Sequence, residues 1–308
     1  MKLIRIKNDR ATEKILVSIM SFFAILIRSV SLKASAAIAR FLGDFVFYIL
    51  QTRRKLVIEN LSRAFPDKDS SEINAKARQV YRNQAENIIE TVRLPMIKTA
   101  EDAARFLELD TKAILSKTID QKKGGVLVSA HFGNWELLAF CSGLLMHSHT
   151  IVVKELTNKA IDRRMNEIRT LRGNQIVYDN RALREGLRTL QQGGILTLLG
   201  DQSDPSAGFF TEFMGRRTSV FLGPAFFALK AGVPLFVALC RRVGNGRYVA
   251  DIEEIDTTGF GTSKTDIEEI ARRYTRIIEK AVYQYPEEWF WLHNRWKVIE
   301  PVPEGLHG

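Results

Sequence analysis

One histidine and one carboxylate in the 308-residue chain stand at a spacing that suits acid–base chemistry. His131 directly follows a short apolar run, and Glu136 comes five residues later. A histidine can accept a proton near neutral pH, and a carboxylate on one ring nitrogen fixes the tautomer and stabilises the imidazolium. The pair could therefore take a proton from a hydroxyl, which is otherwise a poor nucleophile. The alternative is a local ion pair or cap at the start of a helix.

A strand and a tight turn must position this histidine. The run Gly124–Ala130 is small, β-branched and apolar and opens with a glycine pair, which predicts a strand buried on both faces of a parallel sheet. Gly133 permits a tight turn, and Asn134 suits the N-cap of the helix that carries Glu136. Such a strand–turn–helix can bring the imidazole and the carboxylate within reach of each other. The chain has no Gly-x-Ser-x-Gly turn, so direct attack by a substrate hydroxyl is favoured over a covalent enzyme intermediate.

Strand and helix patterns alternate along the rest of the chain. Strands are predicted at 106–110, 150–155, 175–178, 194–202, 234–242 and 248–255, and helices within 56–98 and at 111–117, 158–172, 181–192, 223–232 and 265–285. The alternation predicts an α/β fold with a largely parallel central sheet flanked by helices. Ligands of such sheets bind beyond the carboxyl ends of the strands, where both His131 and Asp201 are expected.

The first 52 residues differ in composition from the rest. The run from Ile15 to Ile27 carries no charge, and a milder apolar stretch, FLGDFVFYIL, ends at Leu50. The first run is shorter than the roughly 20 residues of a spanning helix, although Arg28 could extend it by snorkelling. We predict an N-terminal membrane-anchoring helical segment at 1–52, as a tilted span or an interfacial helix, and a second domain at 53–308. A buried core helix is the alternative.

The chain is strongly basic, with a net charge of +10, so an anionic partner is expected. Basic residues flank the apolar N-terminal segment and no nucleic-acid motif is present, so membrane lipids are favoured over nucleic acid. The positive-inside rule then places the second domain on the cytoplasmic side.

The chain contains only two cysteines, which can form at most one disulfide. One disulfide is too few to stabilise a chain of this length, which fits a reducing compartment. His147 and His149 lack an evident third ligand, so no metal is predicted.

Four regions of the sequence carry a combined signature. They are HFGNWE (131–136), ENLSRAFPD (59–67), GDQSDP (200–205) with FMGRR (213–217), and PEEWFWLHNRWK (286–297). HFGNWE matches the H-x4-[D/E] motif of the lysophospholipid acyltransferase superfamily, and together the four resemble the bacterial lipid A late acyltransferases over nearly the whole chain. Met214 departs from the usual second phenylalanine of the family's Phe-Phe-Gly segment, which leaves acyl-chain length and acceptor identity open.

The resemblance implies an enzyme, an acyltransferase for groups other than aminoacyl groups, without cofactor or metal. It implies an acyl carrier protein thioester as donor and a hydroxyl of a glycolipid, a lipid A precursor, as acceptor. His131 would be the general base and Glu136 its assistant. Arg169 would hold the substrate or the developing oxyanion, with a solvated basic helix face as the alternative. The implied location is the cytoplasmic face of a bacterial inner membrane.

Five further residues are candidate substrate contacts. Asp201 and Gln202 end a predicted strand and could bind a substrate hydroxyl or orient the arginine, although a turn-capping aspartate is equally compatible with the pattern. Gly215 and Arg216 lie in a predicted turn that could approach a phosphate of the acceptor. Asn134, predicted as the N-cap of the helix that carries Glu136, is the fifth candidate for a substrate contact.

The sequence is also compatible with two other functions. One is the same chemistry on phosphatidylinositol mannoside or another polar lipid. The other is a non-catalytic membrane protein that binds anionic lipid or nucleic acid through its basic residues, in which case His131 would be replaceable.

Overall fold

The structure, a computed structural model, describes residues 10–204 and 209–297. The helices are α1 (Arg10–Ser29), α2 (Leu32–Phe45), α3 (Arg54–Ala64), α4 (Ser70–Arg93), α5 (Ala100–Ala104), α6 (Lys112–Lys117), α7 (Trp135–Leu145), α8 (Lys159–Thr170), α9 (Ala182–Gln191), α10 (Gly223–Ala231) and α11 (Lys264–Gln284). The strands are β1 (Leu107–Leu109), β2 (Gly125–Ser129), β3 (His149–Val153), β4 (Gln175–Tyr178), β5 (Ile195–Leu199), β6 (Phe210–Phe213), β7 (Arg216–Ser219), β8 (Leu235–Gly244) and β9 (Arg247–Ile255). A π-helical turn, Val46–Leu50, continues α2.

Seven of these strands form one sheet in the order β1-β9-β8-β2-β5-β3-β4. Every neighbouring pair is parallel except β8 and β9, which are antiparallel. All five residues of β2 are buried, as expected for a central strand of small and β-branched residues. The predicted α/β fold with a largely parallel sheet and flanking helices is confirmed.

Helices pack on both faces of this sheet. On one face, Val126 and Val128 join a hydrophobic cluster that includes residues of α9, α10 and α11. On the other face, Leu127 packs with Ile195 and Phe236. This alternation along β2 means that Leu127, Ser129 and His131 follow one another along the same side of the sheet.

A two-stranded hairpin of β6 and β7 is the main element that the sequence did not predict. Both strands are four residues long and carry charged side chains, so their apolar alternation is too short to indicate strands. Their stability comes from distant residues: the Trp296 indole donates to the carbonyl of Phe213 at 3.3 Å, and the Arg295 guanidinium donates to the carbonyl of Ser219 at 2.5 Å.

The N-terminal helices pack on α4 and expose apolar side chains on their outer surface. Asp44 of α2 accepts hydrogen bonds from Arg78 and Arg82 of α4 at 2.6–2.8 Å. The outer surface, called here the N-terminal apolar surface, consists of Val17, Ile19, Phe22, Phe23, Ile25, Leu26, Leu32, Ile38, Phe41, Leu42, Phe45, Tyr48, Ile49 and Leu50. So many exposed large apolar side chains do not fit the alternative of a buried core helix.

Within residues 10–204 and 209–297, no single helix has the length and apolarity needed to cross a bilayer. The segments Leu32–Leu50 and Arg54–Ala64 meet the length and composition criteria only together, and they are bent by 100°. A membrane anchor at 1–52 and the domain boundary that follows it therefore stay predictions.

Candidate active site

The pairing of two parallel strands brings His131 and Asp201 together. Ser129 and Leu199 are paired residues at the carboxyl ends of β2 and β5, and His131 and Asp201 each lie two residues further on. Because neighbouring parallel strands end at the same edge of the sheet, equal offsets place the two side chains side by side. Their separation of 70 positions along the chain does not matter for this contact.

Asp201 contacts His131 at two points, one on the ring and one on the backbone. Its Oδ1 lies 2.9 Å from Nδ1 of the ring, and its Oδ2 accepts the backbone N–H of His131 at 3.0 Å. The Trp289 indole donates to the same Oδ2 at 2.8 Å. Nδ1 is thus occupied by the carboxylate, so Nε2 is the ring nitrogen that can exchange a proton with a substrate.

The carboxylate of Asp201 is kept ionised although it is only 3% exposed. Burial by itself would raise the pKa of Asp201, but the electrostatic interaction with His131 and hydrogen bonds from His131 and Trp289 outweigh burial and lower it. An anion here stabilises a positively charged imidazolium. Asp201 was predicted to bind a substrate hydroxyl or to orient Arg169; the structure instead makes it the partner of His131.

Glu136 is not the partner of His131, which corrects the pairing expected from their spacing. Glu136, in the first turn of α7, forms a two-point ion pair with Arg169 of α8, with Oε1–Nη2 and Oε2–Nε distances of 2.6 and 2.9 Å. The helix that follows the turn directs this side chain towards α8, whereas β5 brings a different carboxylate to the imidazole. Sequence proximity was therefore misleading about which acid supports the base.

Arg169 is fixed in place and keeps its charge. Its Nη1 donates to Asn166 Oδ1 at 3.1 Å, and both side chains of the pair with Glu136 are less than 20% exposed. Burial would lower the pKa of Arg169, but the hydrogen bonds and charge of Glu136 outweigh it and raise the pKa. The guanidinium therefore stays protonated while it lines the same cavity as His131.

Asn134 caps α7 and fixes the loop before it, and its predicted contact with a substrate stays a prediction. Its Oδ1 accepts the N–H of Leu137 at 3.0 Å, which confirms the predicted N-cap, and its Nδ2 donates to Glu90 at 2.9 Å. The residue is 1% exposed. Gly133 has φ of +57°, and an added Cβ would stand 1.7 Å from the carbonyl oxygen of Cys240. The turn after His131 is thus shaped by close packing against β8.

The segment 286–297 packs directly behind the histidine. Phe290 N–H donates to the carbonyl of His131, and Gly133 N–H donates to the carbonyl of Glu288, each at 3.0 Å. The sequence analysis did not identify the bond from Trp289 to Asp201. The sequence did contain a signal for such a bond. A buried indole N–H needs an acceptor, and Trp289 lies in one of the signature segments.

A cavity of about 720 Å³ extends from His131 along one side of the sheet. Charged and polar side chains gather beyond the carboxyl ends of the strands: His131, Glu136, Lys154, Glu155, Arg169 and Gln202. Apolar side chains line the part that follows the strands inward: Leu109, Ile114, Leu127, Leu138, Met146, Ile151 and Ile252. Gln202 Nε2 lies 3.3 Å from both nitrogens of His131. A volume of this size suits one flexible apolar ligand.

Gly215 and Arg216 lie outside the cavity that extends from His131. Gly215 occupies the turn between β6 and β7 with φ of +69°, and the guanidinium of Arg216 stacks on Trp296, 4.4 Å from the ring centroid. Neither belongs to the cavity lining formed by the described residues. The predicted approach of these two residues to a phosphate of the acceptor stays a prediction.

Comparison with known proteins shows the family to which the chain belongs. The family model described as "Bacterial lipid A biosynthesis acyltransferase" matches residues 5–298. The chain is 25% identical to the lipid A biosynthesis lauroyltransferase of Escherichia coli K12 over 86% of its own length and 85% of that protein. It is 26% identical to a lipid A biosynthesis acyltransferase of Haemophilus influenzae over 80% and 78% of the two chains, respectively. It is 24% identical to the phosphatidylinositol mannoside acyltransferase of Mycolicibacterium smegmatis over 67% of each chain. The chain therefore belongs to the bacterial lipid A biosynthesis acyltransferase family and is an acyltransferase.

Proposed function

We propose that the enzyme transfers a fatty acyl chain from an acyl carrier protein thioester to a hydroxyl of a lipid A precursor. The observation that carries the proposal is the cavity: an apolar channel begins at an imidazole whose other nitrogen is held by a buried carboxylate. An acyl chain gains roughly 0.8 kcal/mol per buried methylene, so the channel is suited to bind the donor chain with its thioester beside His131. The net charge of +10 favours an acidic carrier protein and an acceptor with phosphates.

In this mechanism His131 acts as a general base and then as a general acid. Its Nε2 takes the proton of the acceptor hydroxyl while the oxygen attacks the thioester carbonyl, which becomes a tetrahedral oxyanion. Collapse of that intermediate breaks the carbon–sulfur bond, and the imidazolium returns the proton to the leaving thiolate. Asp201 stabilises the imidazolium between these two steps. The products are an ester and the free thiol of the carrier, so the protons and electron pairs balance.

Arg169 is assigned to the negative charge that forms during the reaction. It is a partly buried cation of the cavity lining and is held at a fixed position by Glu136 and Asn166. A guanidinium in a site with little water stabilises an oxyanion or a substrate phosphate more strongly than in bulk solvent. Glu136 thus contributes by positioning Arg169, and the H-x4-E motif acts through two different side-chain pairs.

The N-terminal apolar surface is proposed to bind the cytoplasmic face of a bacterial inner membrane. Phe22 and Phe23 are 60% and 58% exposed, and the basic Lys33 nearby is exposed as well. Aromatic side chains beside basic ones favour an anionic bilayer surface. The double variant with Phe22→Ser and Phe23→Ser should lose most of its binding to vesicles containing anionic lipid, whereas Leu183→Ser, at an equally exposed site on α9, should bind normally.

If the wild type, the double variant and Leu183→Ser bound equally well to the anionic vesicles, the proposed membrane surface would be refuted. The side of the membrane is tested separately, by protease digestion of sealed inner-membrane vesicles of either orientation. Cleavage only in vesicles that expose the cytoplasmic face is the expected result.

A phosphatidylinositol mannoside acceptor is the second candidate. The similarity to the Mycolicibacterium smegmatis acyltransferase favours it, although that match covers less of the chain than the match to the Escherichia coli lauroyltransferase. The third possibility, a non-catalytic binding protein, is not retained, because the matching family is described as an acyltransferase family.

The deciding experiment offers both acceptors to the purified enzyme. Tetra-acylated lipid A precursor and phosphatidylinositol mannoside are each incubated with an acyl carrier protein thioester, and the products are measured by mass spectrometry. Acylation of the lipid A precursor is expected, and His131→Ala should abolish it while circular dichroism and thermal unfolding stay unchanged. Full activity in a folded His131→Ala protein would refute the mechanism, and acylation of the mannoside alone would reassign the acceptor.

A further inference from the structure

Helix α4 binds the turn between β2 and α7 through two polar side chains. The amide of Asn87 donates from Nδ2 to the carbonyl of Gly133 at 2.6 Å. Glu90, three residues further along α4, accepts a hydrogen bond from Nδ2 of Asn134 at 2.9 Å. Gly133 and Asn134 are the two residues that precede α7. The contacts from α4 therefore fix the point at which the chain leaves β2 and enters the helix.

Arg242 of β8 links these two side chains. Its Nη2 donates to Oδ1 of Asn87 at 3.0 Å and to Oε2 of Glu90 at 3.2 Å, and its Nη1 pairs with Oε1 of Glu90. The hydroxyl of Tyr248 on β9 also donates to Oε2 of Glu90, at 2.6 Å. Because Oδ1 of Asn87 is bound to the guanidinium, its Nδ2 is directed to the carbonyl of Gly133. Asn87, Glu90, Arg242 and Tyr248 are called here the turn-supporting cluster.

The turn-supporting cluster is mostly buried and keeps the charge of its arginine. Asn87 and Tyr248 are 5% and 1% exposed, and the side chains of Glu90 and Arg242 are 16% and 11% exposed. Burial would lower the pKa of Arg242, but the electrostatic interactions with Tyr248 and Glu90 outweigh burial and raise it. Hydrogen bonds to charged groups in such a site are strong and directional. The cluster therefore holds the turn in one geometry.

The position of this turn decides where two functional side chains point. His131 lies two residues before Gly133, and Glu136 lies two residues after Asn134. Asp201, in contrast, follows β5 and does not depend on the turn for its position. A shift of the turn would move the imidazole away from Asp201 while the apolar walls of the cavity stayed in place. A misplacement of about 1 Å at a reacting group can lower a rate about 100-fold.

We propose that the turn-supporting cluster consists of positioning residues for acyl transfer, which hold the imidazole of His131 against Asp201 and facing the cavity. The inference rests on the proposed role of His131 as the general base. None of the four side chains of the cluster belongs to the cavity lining that the described residues form, so they act through His131 and not on the substrate. Loss of the cluster should therefore lower kcat and leave the KM for the acyl donor nearly unchanged.

The test uses two variants of the cluster that keep the size of the side chain. Asn87→Leu removes the bond to Gly133, and Glu90→Gln removes the charge that pairs with Arg242. Both are assayed with an acyl carrier protein thioester and tetra-acylated lipid A precursor. We expect kcat to fall about 10–100-fold for Asn87→Leu and about 3–10-fold for Glu90→Gln, with a donor KM within about twofold of the wild type. If Asn87→Leu does not fold, Glu90→Gln takes its place in every measurement.

A matched control separates positioning from stability. Asp44 of α2 accepts hydrogen bonds from Arg78 and Arg82 of α4, in a charged network that makes no bond to the turn. Asp44→Asn should lower the melting temperature and keep the wild-type kcat. A loss of kcat in Asp44→Asn as large as in Asn87→Leu would overturn the inference, because any weakening of α4 would then have the same effect.

The double variant with Asp201→Asn gives a readout that a purely structural role would not change. A residue that acts by placing His131 on Asp201 has little left to contribute once that carboxylate is gone. Asn87→Leu should therefore lower kcat less than about threefold in the Asp201→Asn background. A structural defect would instead reduce the amount of active enzyme by the same factor in both backgrounds.

The outcomes separate this inference from the function on which it rests. The same factor in both backgrounds would overturn the inference, and so would wild-type kcat in folded Asn87→Leu and Glu90→Gln. Either result leaves the proposed acyl transfer standing. Absence of transfer by the wild-type enzyme to any acceptor would refute the proposed function itself, and the inference with it.

Discussion

Replacing Asp201 by asparagine removes the carboxylate charge that the structure places beside His131 while keeping the size of the side chain. The carboxylate accepts three hydrogen bonds, from the backbone and ring of His131 and from the Trp289 indole. An amide has only one oxygen and cannot stabilise an imidazolium, so the ring loses both its orientation and its countercharge. The expected loss in kcat is roughly 10²–10⁴-fold, or about 2.7–5.4 kcal/mol at about 1.36 kcal/mol per tenfold.

The matched comparison is Glu136→Gln, which removes the charge that spacing alone would assign to His131. Because Glu136 contacts Arg169, this change should act through the guanidinium. We expect a smaller loss in kcat than for Asp201→Asn, of about tenfold, together with a raised KM for the donor. Both variants are assayed with saturating acceptor and are first checked for unchanged thermal unfolding.

One outcome of comparing the kcat losses of Asp201→Asn and Glu136→Gln would contradict the assignment of Asp201 as the partner of His131. If folded Glu136→Gln lost more kcat than Asp201→Asn, the acid next to the histidine in sequence would be its working partner. The argument from paired strand ends would then be refuted.

Three further predictions concern the packing around this site. Burial raises the pKa of Glu288 from 4.5 to about 7, so the folded chain binds this proton more tightly than the unfolded chain, and stability should fall as pH rises through that interval. Glu288→Gln should remove a fall of about 2–3 kcal/mol in chemical denaturation between pH 5 and 8; parallel curves for the two proteins would contradict this. Gly133→Ala should prevent normal folding, because the added Cβ would clash with the carbonyl of Cys240. Gly215→Ala has open space around the added Cβ and should lower the free energy of unfolding by only about 1 kcal/mol. Equal melting temperatures for the two variants would argue against this packing. Trp289→Phe should lower kcat about tenfold at unchanged donor KM by removing one bond to the aspartate, and wild-type kcat would exclude that role.

The sequence predicted which residues could do chemistry better than it predicted their partners. His131 was identifiable because it follows a strand whose composition is typical of a buried parallel sheet. Its true partner depended on the order of strands, since β5 lies next to β2 although β3 and β4 separate them in the chain. Periodicity identifies strands but not their neighbours. The equal two-residue offsets of His131 and Asp201 from their strands were the available signal.

The placement of the remaining candidates depended on contacts between distant segments. Arg169 was expected near the substrate, and it does line the cavity, because α8 begins and ends where helix signals indicated. Gly215 and Arg216 were placed by a hairpin whose strands are stabilised by residues 295 and 296. No local pattern encodes such a contact.

The position of the segment 286–297 has a consequence for the order of events during synthesis. The ribosome releases the N-terminal apolar helices first, while the residues that bond to His131 and Asp201 are among the later ones to emerge. On the proposal that these helices bind a membrane, a nascent chain would reach the bilayer before His131 is held in place. The arrangement around His131 and Asp201 is complete only once this late segment has docked, since Trp289 and Phe290 belong to it.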